Sequence, residues 1–224
     1  MAIFLDSANP EEAKLAFRTG LVNGVTTNPR LLGQVKGAPE ELIRELCRIS
    51  TGPVCYQLTA ASFKEKQDEG KRFYNIHPKK VVLKIPCTTE NLALMAHLTH
   101  THGIPCAATA VFSPAQGLLA CEAGARYLIP YVNKVTAQGG DGLALVSKLA
   151  GICRATGKGA EVLAASLKSP EEVADAVLAG AAHVTVPYAI LNQLGNHPRS
   201  DEAIREFAAT PKVKQITPTE VFGK

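Results

Sequence analysis

The chain of 224 residues has no tryptophan and only two methionines, and aromatic residues make up 5% of it. With no indole for base stacking, no basic run longer than Lys79-Lys80 and a dispersed formal charge of +4, it lacks the cationic, aromatic surface that a nucleic-acid partner requires. That mild positive balance suits a small anionic substrate instead. No apolar run approaches the roughly 18 residues that cross a bilayer, so no membrane partner is expected. The six cysteines are scattered without a CxxC, and the first residues already read as a strand rather than a signal peptide. These features describe a cytoplasmic protein with free core thiols. GxSxG, HExxH and the Walker lysine motif are missing, and Gly139-Gly140-Asp141-Gly142 lacks the spacing of a dinucleotide loop. His97, His100 and His102 fall near a helix end without a carboxylate or cysteine to complete a ligand set. No organic cofactor and no metal is expected.

What the chain does have is 46% apolar residues, enough for a large core in one domain, and a steady alternation of strand-like and helix-like segments. Strand-like runs occupy residues 2–6, 24–27, 54–58, 81–85, 105–111, 126–131, 161–166 and 182–187. Between them lie helix starts of one kind, a capping Asn or Ser followed by proline, as at Asn9-Pro10, Ser113-Pro114 and Ser169-Pro170. A helix is expected from about 62 to 74, another from 90 to 102 and another from 141 to 156, the last after a loop through Gly139 and Gly140. Eight such units in an α/β chain of this length predict a (β/α)8 TIM barrel, with a C-terminal helix and tail over 198–224. A doubly wound open sheet is the competing layout, and it gives no reason for eight strands.

One lysine stands out. In Val81-Val82-Leu83-Lys84-Ile85-Pro86 four aliphatic residues enclose Lys84, on a strand that a parallel sheet would cover on both faces. Burial disfavours the ammonium and so makes the neutral, nucleophilic amine available. A lysine on a strand is more commonly one that snorkels to the rim. The company of Lys84 argues otherwise: Asp6, Thr26 with Asn28, Gln57, Thr109, Tyr131 and Ser166 each fall at or just past the end of a predicted strand, the face on which barrel enzymes carry their sites. Each alone has an ordinary role as a cap, turn residue or satisfied core polar group. Together they outline an active site around an amine that can add to a ketone, lose water and serve as an electron sink.

The segments FLDSAN, GVTTNP, VVLKIP, AQGLL, PYVNK, AQGGDG and VLAAS, spread over nearly the whole chain, resemble the small transaldolase-like family that includes fructose-6-phosphate aldolase. The resemblance implies a class I aldolase with Lys84 as the Schiff-base lysine, acting on sugar or sugar-phosphate substrates. It assigns proton transfer to Tyr131, directly or through a water held by Gln57 and Thr109. Asp6, Thr26 and Asn28 would hold the hydroxyls of the donor ketone, and Ser166 with Lys134 would face the phosphate of the acceptor. Transaldolases of this kind carry glutamate and phenylalanine where this chain has Gln57 and Tyr131, so the expected reaction is cleavage or synthesis of fructose 6-phosphate from dihydroxyacetone and glyceraldehyde 3-phosphate. The alternative is a transaldolase that passes the dihydroxyacetone unit between sugar phosphates. A sugar-phosphate isomerase or a non-catalytic barrel would need no Schiff base. Position 134 departs from the family's arginine and Arg30 has no counterpart in its pattern. Members form homo-oligomers, rings of five often stacked into ten, with the C-terminal helix against a neighbour.

Overall fold

Side-chain caps fix where the helices begin. Asn9, Asn28, Ser62, Thr88, Ser113, Asp141 and Ser169 each accept a hydrogen bond from a backbone N–H of the first helical turn, and Ser62 and Ser113 complete capping boxes with Glu65 and Gln116. Proline follows four of these caps, where its missing N–H costs nothing. A computed structural model describes residues 1–209.

Between the helices run β1 (Ala2–Asp6), β2 (Val22–Thr26), β3 (Val54–Gln57), β4 (Val81–Pro86), β5 (Cys106–Val111), β6 (Tyr127–Pro130), β7 (Glu161–Ala164) and β8 (His183–Val186). They pair in parallel, each with the next in sequence, and β8 closes on β1. The fold is the (β/α)8 barrel expected from the alternation. Met1–Leu191 makes up this barrel unit, and Asn192–Lys224 is a second unit whose described part includes the helix Pro198–Ala209. The rest of the expected tail lies outside the described residues.

Two stretches differ most from the expected layout. Tyr131 is not in β6: it lies one residue beyond, makes a single bridge to Ala165 and leads into a helix, Val132–Ala137, where a loop was expected. Here the N–H groups of Val132 and Asn133 donate to the carbonyls of Ala165 and Ser166, so the chain leaves the sheet while still tied to it. The helix Thr89–Ala96 passes into a π-helical turn, His97–Thr101, instead of running regularly to 102. Thr99 Oγ1 sits 2.8 Å from the Met95 carbonyl and 2.7 Å from that of Ala123, among groups a regular turn would use.

Inside the barrel, Phe4, Cys55, Val82, Ala107, Ile129 and Leu163 belong to a buried plug together with Tyr127 and Ala165. Phe4 stands edge-on to Tyr127 and to His183, each pair with ring centres 5.8 Å apart. Five of the cysteines are buried and the sixth, Cys153, is partly so; all six are free. Strand side chains repeat their direction every second residue, so the positions two beyond the plug also point inward, one layer nearer the carboxyl ends. Those positions are Asp6, Gln57, Lys84, Thr109 and Tyr131. The register agrees, with Asp6 opposite Thr26 and Gln57 opposite Lys84.

Gly24 shows how tightly the plug is closed. A Cβ there would fall 2.4 Å from a ring carbon of Phe4 and 2.8 Å from the Pro53 carbonyl oxygen. Phe4 is held between two aromatic neighbours and has little room to yield. Gly24→Ala is expected to lower stability by about 1–3 kcal/mol, read as a drop in the urea midpoint. A midpoint equal to that of the parent protein would mean the plug is looser than this packing indicates.

Candidate active site

Above the plug opens a cavity of about 320 Å³ at the carboxyl ends of the strands. Of the nine site residues expected from sequence, all but Thr109 line it. Thr109 lies fully buried just behind, with its Oγ1 3.0 Å from the hydroxyl of Tyr131.

Lys84 is 4% exposed. Its Nζ donates to the Thr27 carbonyl at 2.8 Å, and Thr27 is itself anchored to the Cys55 carbonyl through both its N–H and its hydroxyl. Among the described residues no carboxylate comes within ion-pair distance of this amine. A buried amine with one neutral acceptor is oriented without being neutralised by a counterion. The nearby thiol of Cys55 offers no competing nucleophile: burial pushes it up to about 12, and the charge of Lys84 offsets only part of that.

On one side of the lysine a hydroxyl relay holds the carboxylate of Asp6. Thr26 Oγ1 donates to Asp6 Oδ1 at 2.7 Å, and because its one proton is spent there, the 2.6 Å contact with Thr185 must be a bond donated by Thr185. Both threonines are buried. Asn28 serves two purposes: its Oδ1 caps the short helix Pro29–Leu32 by accepting from the Leu31 N–H, which leaves its amide N–H groups for a ligand. On the other side Lys134 Nζ lies over the Tyr131 ring, 4.6 Å from its centre, and Phe112 meets the same ring edge-on. Ser166 sits in the left-handed region with φ of 62°, a conformation that costs a non-glycine residue energy and recurs where a functional group must be aimed.

A whole-chain comparison fits this geometry. The profile of the family described as Transaldolase/Fructose-6-phosphate aldolase matches residues 3–221. The chain belongs to that family. Its relatives include proteins named "Probable transaldolase" from Roseiflexus castenholzii, 38% identical over 96% of this chain and 99% of that one, and from Prosthecochloris aestuarii, 37% identical over 92% and 96%. A third, from Lactiplantibacillus plantarum, is 37% identical over 97% and 99%. Among solved structures, a mandelate oxidase mutant with a monooxide FMN adduct shares the barrel at a TM-score of 0.59 and 15% identity, covering 92% of this chain and 70% of that one, a likeness of fold alone.

Three polar residues that the sequence did not assign to the site also line the cavity: Arg30, Lys168 and Thr185. Thr185 had a usable signal, because it follows the same rule as its counterparts, an inward polar residue near the end of the eighth strand. Arg30 and Lys168 lie in the segments that leave β2 and β7, where side-chain direction has no period to read.

Next to Gln57 a buried carboxylate fixes the loop that leaves β3. Glu69 accepts from the Tyr56 hydroxyl at 2.7 Å, from the Thr59 hydroxyl at 2.9 Å and from the N–H groups of Thr59 and Ala60. Burial first, and then this carboxylate, push the Tyr56 phenol far up, so it remains a donor. Glu69→Ala strips four donors of their acceptor and is expected to cost roughly 2–4 kcal/mol in urea unfolding. Should the variant match the parent protein, water has replaced the carboxylate and the loop does not depend on it.

Proposed function

We propose that the protein is a Schiff-base enzyme that moves a dihydroxyacetone unit, working as a transaldolase through Lys84. The observation that carries this reading is the buried amine of Lys84, hydrogen-bonded among the described residues only to the Thr27 carbonyl and opening onto a cavity with the oriented oxygens of Asp6 and Thr26 on one side and Lys134 and Lys168 on the other. The names of the relatives support transfer between sugar phosphates over the release of free dihydroxyacetone expected from sequence.

Lys84 Nζ adds to C2 of a ketose phosphate such as fructose 6-phosphate, and the ketone oxygen leaves as water. The iminium then draws the electrons of the C3–C4 bond as the C4 hydroxyl gives up its proton, so the aldehyde half departs and an enamine of dihydroxyacetone remains on the lysine. Asp6 and Asn28 hold the hydroxyls of this three-carbon unit. The Tyr131 hydroxyl, 3.0 Å from Thr109 Oγ1, is the group placed to take the C4 proton and return it, directly or through a water held by Gln57. In transfer, the enamine carbon attacks a second aldehyde, water re-adds to the iminium, and the new ketose leaves. In release, the enamine is protonated and hydrolysed instead.

A second reading, a fructose-6-phosphate aldolase that releases dihydroxyacetone, draws its support from Gln57 and from the hydroxyl of Tyr131, which match the aldolase version of the family pattern. Both reactions are measured by incubating the enzyme with fructose 6-phosphate, with and without erythrose 4-phosphate, and following the new ketose phosphate and free dihydroxyacetone. Transfer is expected to exceed release by tenfold or more. Free dihydroxyacetone formed as fast as the transfer product would replace the transaldolase reading with the aldolase one. Tyr131→Phe is expected to reduce release by about 10²–10⁴, the range for a lost general acid-base, while borohydride still traps the imine. An unaltered release rate would take the proton-transfer role away from Tyr131.

A further inference from the structure

The cations of the cavity fall on two sides of the lysine. Lys134 and Lys168 follow β6 and β7, whereas Arg30 lies on the short helix that follows β2. In the closed order of eight strands β2 stands across the barrel from β6, and β4, which carries Lys84, is two strands from each. A ketone bound at Lys84 through C2 has two arms. When the longer one carries its phosphate toward Ser166, Lys134 and Lys168, the short C1 arm points to the opposite rim, where Arg30 is.

The charges argue the same way. One phosphate dianion is matched by Lys134 and Lys168, and among the described residues Asp6 is the sole carboxylate that lines the cavity. Asp6 is already bonded to Thr26 and makes no ion pair with Arg30. Among the described residues the Arg30 guanidinium has no hydrogen-bond or ion-pair partner, so a cation with a planar fork suited to phosphate faces the donor end of the site uncompensated.

Building on the Schiff-base reading above, we infer that Arg30 recognises a phosphate on C1 of the donor, so that the site accepts dihydroxyacetone phosphate and ketoses phosphorylated at both ends. Arg30 is a specificity-determining residue: it touches the C1 phosphate and none of the reacting bonds. Its position on the exposed rim keeps that contact sensitive to salt.

The test is reductive trapping on the full chain. Dihydroxyacetone or dihydroxyacetone phosphate is added with borohydride; the amine displaces the ketone oxygen as water, hydride adds to C2, and intact mass reports the fraction labelled at each ketone concentration. In the parent protein half-labelling is expected at a lower concentration of the phosphate than of the free ketone. Arg30→Ala should reduce that preference tenfold or more and Arg30→Lys should retain part of it, with 0.5 M salt reducing it in the parent protein. The inference is overturned if the parent protein is labelled by dihydroxyacetone but not by its phosphate, or if Arg30→Ala leaves the preference where it was, and in either case the Schiff-base reading stands. Absence of labelling by both ketones would overturn the two together.

Discussion

The structure depends on an amine buried in a closed barrel and held by one neutral carbonyl. Lys84 projects inward from β4 with aliphatic residues on either side in sequence and an apolar plug beneath it, and the Thr27 carbonyl is its single hydrogen-bond acceptor among the described residues. A neutral carbonyl orients the group without tying it to a counter-charge. The barrel makes this possible because it has no open edge through which the side chain could reach water. The anchoring of Thr27 to Cys55 extends the same constraint to the neighbouring strand.

Around that amine the cavity is divided by function. The β1, β2 and β8 side supplies the relay from Thr185 through Thr26 to Asp6, a set of oriented oxygens. The β6 and β7 side supplies Tyr131, Lys134, Ser166 and Lys168, an aromatic hydroxyl with cations beside it. The proposed substrate, an elongated sugar phosphate, is asymmetric in the same sense, with hydroxyls at one end and a dianion at the other. Arg30 modifies that asymmetry by placing a positive charge at the hydroxyl end as well.

Much of this was legible in the sequence, for physical reasons. A strand in a parallel barrel is buried on both faces, so β4 and β5 read as short apolar runs, and the Asn-Pro and Ser-Pro caps mark helix starts because the orphan N–H groups need acceptors. Their places at or near the ends of the predicted strands then marked Asp6, Gln57, Lys84 and Thr109 as candidates. Tyr131 was found, but its backbone was misplaced by one residue: Pro130 and Tyr131 look like strand, and only the tertiary bonds from Val132 and Asn133 to the β7 end show that a helix begins there. The π-helical turn at His97–Thr101 left no mark in the sequence, and its Thr99 hydroxyl bonds to the carbonyl of Ala123, far away in the chain. Glu69 carries no signal in the sequence beyond its place in a helix, and what gives it meaning is a loop that folds back over it.

In the proposed reaction the carbon skeleton of the substrate becomes bonded to one particular lysine. Two other lysines make informative controls: Lys80 is tied to the carbonyls of Cys47 and Ser50, and Lys168 lines the same cavity but is exposed. The most direct measurement is to treat the protein with fructose 6-phosphate and borohydride, digest it, and locate the reduced adduct by mass. This account predicts the adduct on the peptide bearing Lys84 and its disappearance in Lys84→Ala. An adduct on Lys80 or Lys168, or none in a protein that still turns over fructose 6-phosphate, would contradict it.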